Sequence, residues 1–254
     1  AEGRSVVHEV RRRCKKLRAL LRLIRPGFSA FAAEDAAVRE AARLLSHLRD
    51  AEAMRLTVQA LAPRLPAGVA EEALGRLGSE PGRADASEQL GASRARLAAL
   101  RERADGWSIS ESGWAALGPG LRRSYRSARR RMRAAQCAPE PAALHDWRKA
   151  LKHHGFHLDL LRRSAPDAIG AQSALADRLG VLLGEHHDLS VLDRAAADQP
   201  ARLGEAEAIA LLREAAEARR REIEEEAFEL GRQIFAERPR ALKRRFAAYW
   251  RQAR

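Results

Sequence analysis

The sequence predicts an all-α protein made of two related four-helix halves, and three observations carry that expectation. Ala, Leu, Arg and Glu dominate the 254 residues, and all four favour helices. Hydrophobic residues make up 46%, enough for buried cores, yet no segment sustains the period-2 alternation of a half-buried strand. Apolar residues recur instead at helical spacing. The third observation is an internal repeat. Val7-His8-Glu9-Val10-Arg11-Arg12-Arg13-Cys14-Lys15 is matched 137 residues later by Leu144-His145-Asp146-Trp147-Arg148-Lys149-Ala150-Leu151-Lys152. Each copy runs His, an acid, an apolar residue and two basic residues, with Lys at the seventh place after His. A second pair follows in the same order, Leu45-Ser46-His47-Leu48-Arg49-Asp50 with Leu183-Gly184-Glu185-His186-His187-Asp188, at an offset of 138. Two matches at offsets one residue apart argue for duplication, which divides the chain at about residue 120 into repeats of about 1–120 and 121–254.

In chain order, the first helix is expected from about Ser5 to Arg25, stopped by Pro26-Gly27. A second runs from about Glu34 to Ala62, ending at Pro63, and a short piece near Val69–Leu77 is broken by Gly78 and the Pro81-Gly82 turn. A long helix covers about Ala84–Ala104. Four glycines and Pro119 make the stretch from Asp105 to Gly120 read mostly as loop. Further helices are expected over about Leu121–Gln136, Ala142–Arg163, Asp167–Ala197, Ala201–Ala236 and Pro239–Ala253.

Charge narrows the partners. Lys+Arg 47 against Asp+Glu 34 gives a net charge of +13, which calls for an anionic partner. Lysine occurs only at Lys15, Lys16, Lys149, Lys152 and Lys243, so arginine, which grips phosphate bidentately, carries most of that charge. Cys14 and Cys137 are too few for a disulfide framework or a four-ligand zinc site. No apolar run has the length of a membrane span and no leader peptide is recognisable, so a cytoplasmic protein is expected.

The cations are placed in stripes. With ~100° per residue, Arg11, Lys15, Arg18 and Arg22 fall within about 80° on one side of His8, and Arg12 about 40° on the other. Val7, Val10, Cys14, Leu17, Leu21 and Ile24 form a separate apolar arc, so the basic arc borders the core and is suited to line a groove. His145, Arg148, Lys149 and Lys152 repeat the geometry, with Gly155 where a further basic residue is expected. A third stripe, Arg122, Arg126, Arg129 and Arg133, lies on a helix with no acidic residue. Like charges one turn apart repel, and a bound anion would relieve that repulsion. A lone His at a core edge is usually just hydrogen-bonded in place. Two at duplicated positions, each leading a basic stripe, point to phosphate contact instead.

These residues resemble the CHAD family, the conserved histidine α-helical domain. The resemblance rests on the paired His-acid-x-Arg helices, Leu183–Asp188, the Tyr125-Arg126 stretch before Arg129, and a basic C-terminal helix ending Tyr249-Trp250. It extends over essentially the whole chain, with His153-His154-Gly155 and the Arg49/His187 pairing as departures. It implies two four-helix bundles about a pseudo-twofold axis, with a basic central cleft that binds inorganic polyphosphate (sulfate or phosphate as mimics). It also implies association with polyphosphate granules and leaves room for a partner enzyme of polyphosphate metabolism. His8, Arg11, Lys15, His145, Arg148 and Lys152 are the positions that carry over.

Other chemistries fit less well. Adjacent His186 and His187 point about 100° apart on a helix and cannot both face one metal ion. The first repeat has Leu48-Arg49-Asp50 at that place, so no metal site and no metal-dependent phosphohydrolase is expected. Asp50 and Asp188 are expected to bond a helix end or an Arg. Glu222–Glu226 only superficially resembles the Glu/Lys strands of the triphosphatase domain fused to some family members. No nucleotide fingerprint or nucleophile set is present, so neither enzyme activity nor a cofactor is expected. A membrane surface would need an exposed apolar face beside the charge. Nucleic acid is the serious rival, since it explains the charge equally well, but base recognition calls for stacking aromatics. Trp147 falls on the apolar arc and Tyr125 is a single candidate. From the residues alone the two polyanions stay nearly tied; the resemblance favours polyphosphate.

Overall fold

The computed structural model describes residues 2–45, 50–77 and 83–253. Among these residues every regular element is helical. The chain runs through α1 (Glu2–Ile24), α2 (Phe31–Arg43), α3 (Asp50–Leu61), α4 (Val69–Arg76), α5 (Arg83–Ala104), α6 (Gly113–Cys137), α7 (Pro141–Leu161), α8 (Pro166–Asp198), α9 (Ala206–Ile234) and α10 (Pro239–Gln252). Pro141, Pro166 and Pro239 each open a helix, where a missing N–H costs nothing.

The apolar arc of α1 goes where its period puts it. Val7, Cys14, Leu21 and Ile24 are buried, and Val10 and Leu17 pack partly buried against the same cluster. That small core is closed by Phe28, by Val38 of α2 and by Leu100 of α5. A larger core runs through α6 to α10 around Tyr125, Trp147, Leu151, Leu158, Ile223 and Phe246, and takes in Val58 of α3 and Ala73 of α4. Helices of the first half thus do not pack only among themselves: α3 and α4 lie on α8 and α9, while α1 lies on α6 and α7.

Three expectations are corrected. The single helix expected over 34–62 is two, because α2 packs on α1 and α5 whereas α3 packs on α8 and α4. No Gly or Pro in Leu44–Asp50 announces that change of direction, and Ser46, His47, Leu48 and Arg49 of the second repeat match lie outside the described residues, as do Gly78 and the Pro81-Gly82 turn. The loop expected to Gly120 ends at Ser112, and α6 runs straight through Pro119. Gly120 is there for contact: a Cβ at this position would lie 1.8 Å from the Leu23 carbonyl oxygen, so only glycine lets α6 touch the end of α1. Finally, α9 starts at Ala206 and not at Ala201, because Gly204 takes a φ of 151° between a 3₁₀ turn and the helix.

Candidate functional site

Where α1 and α7 pack together, their basic faces open on one cleft of about 660 Å³. His8, Arg11, Arg12 and Lys15 line it from α1, at spacings of three, one and three that keep them on one helix side. Arg148 and Lys152 face them from α7, on either side of buried Leu151 in the floor. The opposite wall is α8, whose Ala176, Gly180 and Gly184 recur every fourth residue and leave a smooth strip along the cleft. Arg148 lies against that strip: a Cβ on Gly184 would be 3.6 Å from its guanidinium nitrogens. Leu56, Thr57, Ala60 and Leu61 of α3 complete the wall, with Arg64 and Arg219 at the edge. Asp177, Glu185 and Asp188 also line it. Burial, and then the nearby Asp159 charge, push the Asp177 carboxyl upward. The cleft is therefore rich in cations but not free of acids.

Six of the fourteen sequence-predicted residues come together here, and eight do not. Arg18 and Arg22 both turn to Asp35 of α2, which is 7% exposed. Arg18 donates Nε to Oδ1 at 3.0 Å, and Arg22 donates Nη2 to Oδ2 at 3.1 Å. A buried carboxylate needs compensating charge, so these two arginines join α1 to α2 and are absent from the cleft lining. Lys149 pairs with Asp146 at 2.5 Å, and Arg131 of α6 reaches the same carboxylate at 2.8 Å. In the first copy Glu9 pairs with Arg12 and Arg13, each at 2.8 Å. The acid of the repeated motif thus orients neighbouring basic residues in both copies. Hydrogen bonds from Arg12 and Arg13 hold the Glu9 carboxyl down at about 2.

His145 does not line the cleft either. It stacks on His187, with ring centroids 4.1 Å apart and planes at 29°, and its Nδ1 has no hydrogen-bond partner. Burial, reinforced by Lys149 and Arg148, lowers its pKa. Burial first, then His145 and Arg148, bring His187 down to about 4. Both rings are neutral near pH 7.

The third stripe is placed elsewhere. Arg122, Arg126, Arg129 and Arg133 are absent from the lining, and Arg129 donates Nε to the Phe235 carbonyl at 2.9 Å. Its neighbour Tyr125 is fully buried, with its hydroxyl 2.9 Å from the Glu237 carbonyl and 3.2 Å from that of Ile234. Burial pushes that phenol up to about 12. Both side chains fasten the turn between α9 and α10.

The sequence had not singled out Arg64, Arg219 or Glu185. Arg64 forms a two-point pair with Glu222, 2.7 Å at each oxygen, and Arg219 another with Glu185 at 2.6 and 3.0 Å. Arg219 also reaches Glu222 at 3.0 Å, so four charges, from the 3₁₀ turn after α3 and from α8 and α9, form one chain at the cleft edge. The one available signal was Glu185 itself, a charge amid the apolar Leu182-Leu183 stretch. Among the described residues, no group of three or more His, Cys, Asp and Glu is placed to hold a metal ion, and no helix is long and apolar enough to cross a membrane.

Comparison with known proteins adds one result. The CHAD domain family model matches residues 2–197, which takes in α1, α7, the Leu183–Asp188 segment and nearly all of α8. Neither curated proteins nor solved structures give a match. The match stops short of the whole chain, so α9, with Arg219, and α10, with Tyr249-Trp250, fall outside it. With both basic motif helices inside a match that covers more than half of its length, the chain belongs to the CHAD domain family.

Proposed function

We propose that this protein binds inorganic polyphosphate in the cleft between α1 and α7, without chemical turnover, and that this binding associates it with polyphosphate granules. One observation carries the reading: His8, Arg11, Arg12 and Lys15 of one motif helix and Arg148 and Lys152 of the other line the same cleft. Low-dielectric walls such as Leu56, Leu61 and Val181 strengthen the attraction of these cations for a polyanion. The family resemblance supplies the identity of that polyanion. A ligand without bases also suits the walls better than nucleic acid, since among the described residues Phe156 is the one Phe, Tyr or Trp in the lining. Tyr125 and Trp147 are fully buried and cannot stack on a base. The pairing of the two motif helices fits descent from a duplicated unit.

Competition tests this. Long-chain polyphosphate should displace single-stranded DNA and RNA of equal phosphate content at the same ionic strength. Its affinity should fall steeply with salt, because several phosphates are neutralised together. The double variant Arg148→Ala/Lys152→Ala should weaken binding about tenfold or more, as each charge-assisted bond contributes ~1.5–3 kcal/mol. Incubation with polyphosphate and Mg²⁺ or Mn²⁺ should release no phosphate. Equal competition by nucleic acid, or release of phosphate, would overturn the proposal.

A further inference from the structure

Seven arginines lie on α6, and four arginines and Lys243 on α10; neither helix carries an acidic residue. These two helices pack on one another. Lys243 reaches α6 at Gly118, where an added Cβ would lie 3.0 Å from its Cε. Two to three turns on, Tyr125 and Arg129 hold the turn that leads into α10. Arg122 and Arg126 sit on the same side of α6 between those two anchor points, because residues three and four apart share a helix face. On α10 itself, Arg240, Ala241, Lys243 and Arg244, with Arg238 just before the helix, wall a shallow groove of about 400 Å³. The acids that reach these helices are already committed: Asp146 holds Arg131 at 2.8 Å, and Glu237 holds Arg245 at 2.8 Å. None of the cleft-lining residues belongs to α6 or α10, so this face is a separate surface.

We propose that the α6–α10 face is a second polyphosphate-binding surface, so that one molecule holds two stretches of polymer. The proposal rests on the polyphosphate reading of the cleft for the chemistry of the ligand, but on different residues for the site. Packing two helices that carry only positive charge against each other costs repulsion at every turn. A flexible chain of phosphates removes that repulsion along the whole face. A membrane surface suits it less, because among the described residues the large exposed hydrophobic side chains, such as Leu56, Leu160 and Val181, lie on other elements. Since α10 lies beyond residue 197, half of this face is outside the stretch matched to the family.

Two variants separate the surfaces. Lys15→Ala/Arg148→Ala/Lys152→Ala weakens the cleft, and Arg126→Ala/Arg240→Ala/Arg244→Ala, at three exposed positions, weakens the face. Calorimetric titration with a short polyphosphate of defined length should give two equivalents per wild-type chain and one for either variant. With long-chain polyphosphate the wild type should cross-link polymer and scatter light, whereas either variant should not. Its apparent affinity for the long chain should exceed that of either variant by about 100-fold or more, as linked sites do. One equivalent for the wild type, unchanged in the face variant, sinks the second surface and leaves the cleft standing. No binding by the wild type sinks the polyphosphate reading itself. If the face holds single-stranded RNA while releasing polyphosphate, the proposed ligand is wrong.

Discussion

Asp35 accepts hydrogen bonds from two arginines of the neighbouring helix, and the three side chains form a group that is largely closed to water. Burial alone would raise the Asp35 pKa, but hydrogen bonds and charge from Arg18 and Arg22 leave it lowered. Replacing Asp35 with Ala strands two half-buried guanidinium groups and should cost about 3–5 kcal/mol in a chemical melt. Lys152→Ala, at the edge of an open cleft, should stay within about 1 kcal/mol of the parent. Equal losses from the two would mean that Lys152 also holds the fold together. The wheel of α1 placed Arg18 and Arg22 correctly beside His8; what it could not show was an acid on another helix, 17 residues from Arg18. Cations at the edge of an apolar arc look alike in sequence whether they serve a ligand or a buried partner.

At the scale of elements, α1 and α6 meet without side chains between them. The Leu23 carbonyl oxygen occupies the space where a Cβ of residue 120 would stand, and its carbon and Cα are 2.5 and 2.8 Å from the same point. Backbone atoms cannot rotate aside as a side chain does. Gly120→Ala should therefore force the helices apart and cost about 3 kcal/mol or more. For a chain of this size that is a drop in melting temperature of roughly 10 °C. A variant that melts like the parent would show that the crossing is not rigid. The helices α1, α5, α7, α8 and α10 were legible in the sequence, α1 and α10 from a clear apolar period and α5 and α8 from helix-favouring composition. The start of α6 was not, because Gly-Pro-Gly composition reads the same whether it breaks a helix or lets one approach another. The split between α2 and α3 was hidden for a related reason: it is set by their different packing partners.

The whole molecule carries a set of histidines that resist protonation. Burial brings His153 and His154 down to about 3 and His157 down to about 4; His187 is also near 4. In the unfolded chain each titrates near 6.5. A depressed histidine pKa means that the unfolded chain takes up protons that the folded one refuses. Stability is therefore full above pH 6.5 and falls as the pH drops from there towards 4 or 3. At pH 5.5 each such group should cost on the order of 1 kcal/mol. Melting temperature should fall steadily from pH 7 to pH 5, and His154→Phe should flatten that slope. A flat profile between pH 7 and 5 would contradict the burial of these rings. From composition alone only the charge of the surface could be foreseen; that the His153–His157 run lies partly in the interior follows from how α7 sits between its neighbours.

The His157 imidazole donates from Nε2 to the Ala19 carbonyl at 2.7 Å, while Ser124 approaches its Nδ1 at 2.9 Å. One ring thus links α7 to α1 across 138 residues of sequence and to α6 as well. During synthesis, α1 leaves the ribosome with its basic face complete; α2 and α5 are made in time to cover its apolar arc, but α7 starts only at Pro141, after more than half of these 254 residues. The cleft has no partial form: its two walls belong to segments that meet only when this long loop closes, an event with a high entropic cost that local helix formation cannot supply. On the proposed function, capture of a polyanion between α1 and α7 would require both helices, and a nascent or clipped fragment carrying α1 alone would offer a charged helix without the cleft.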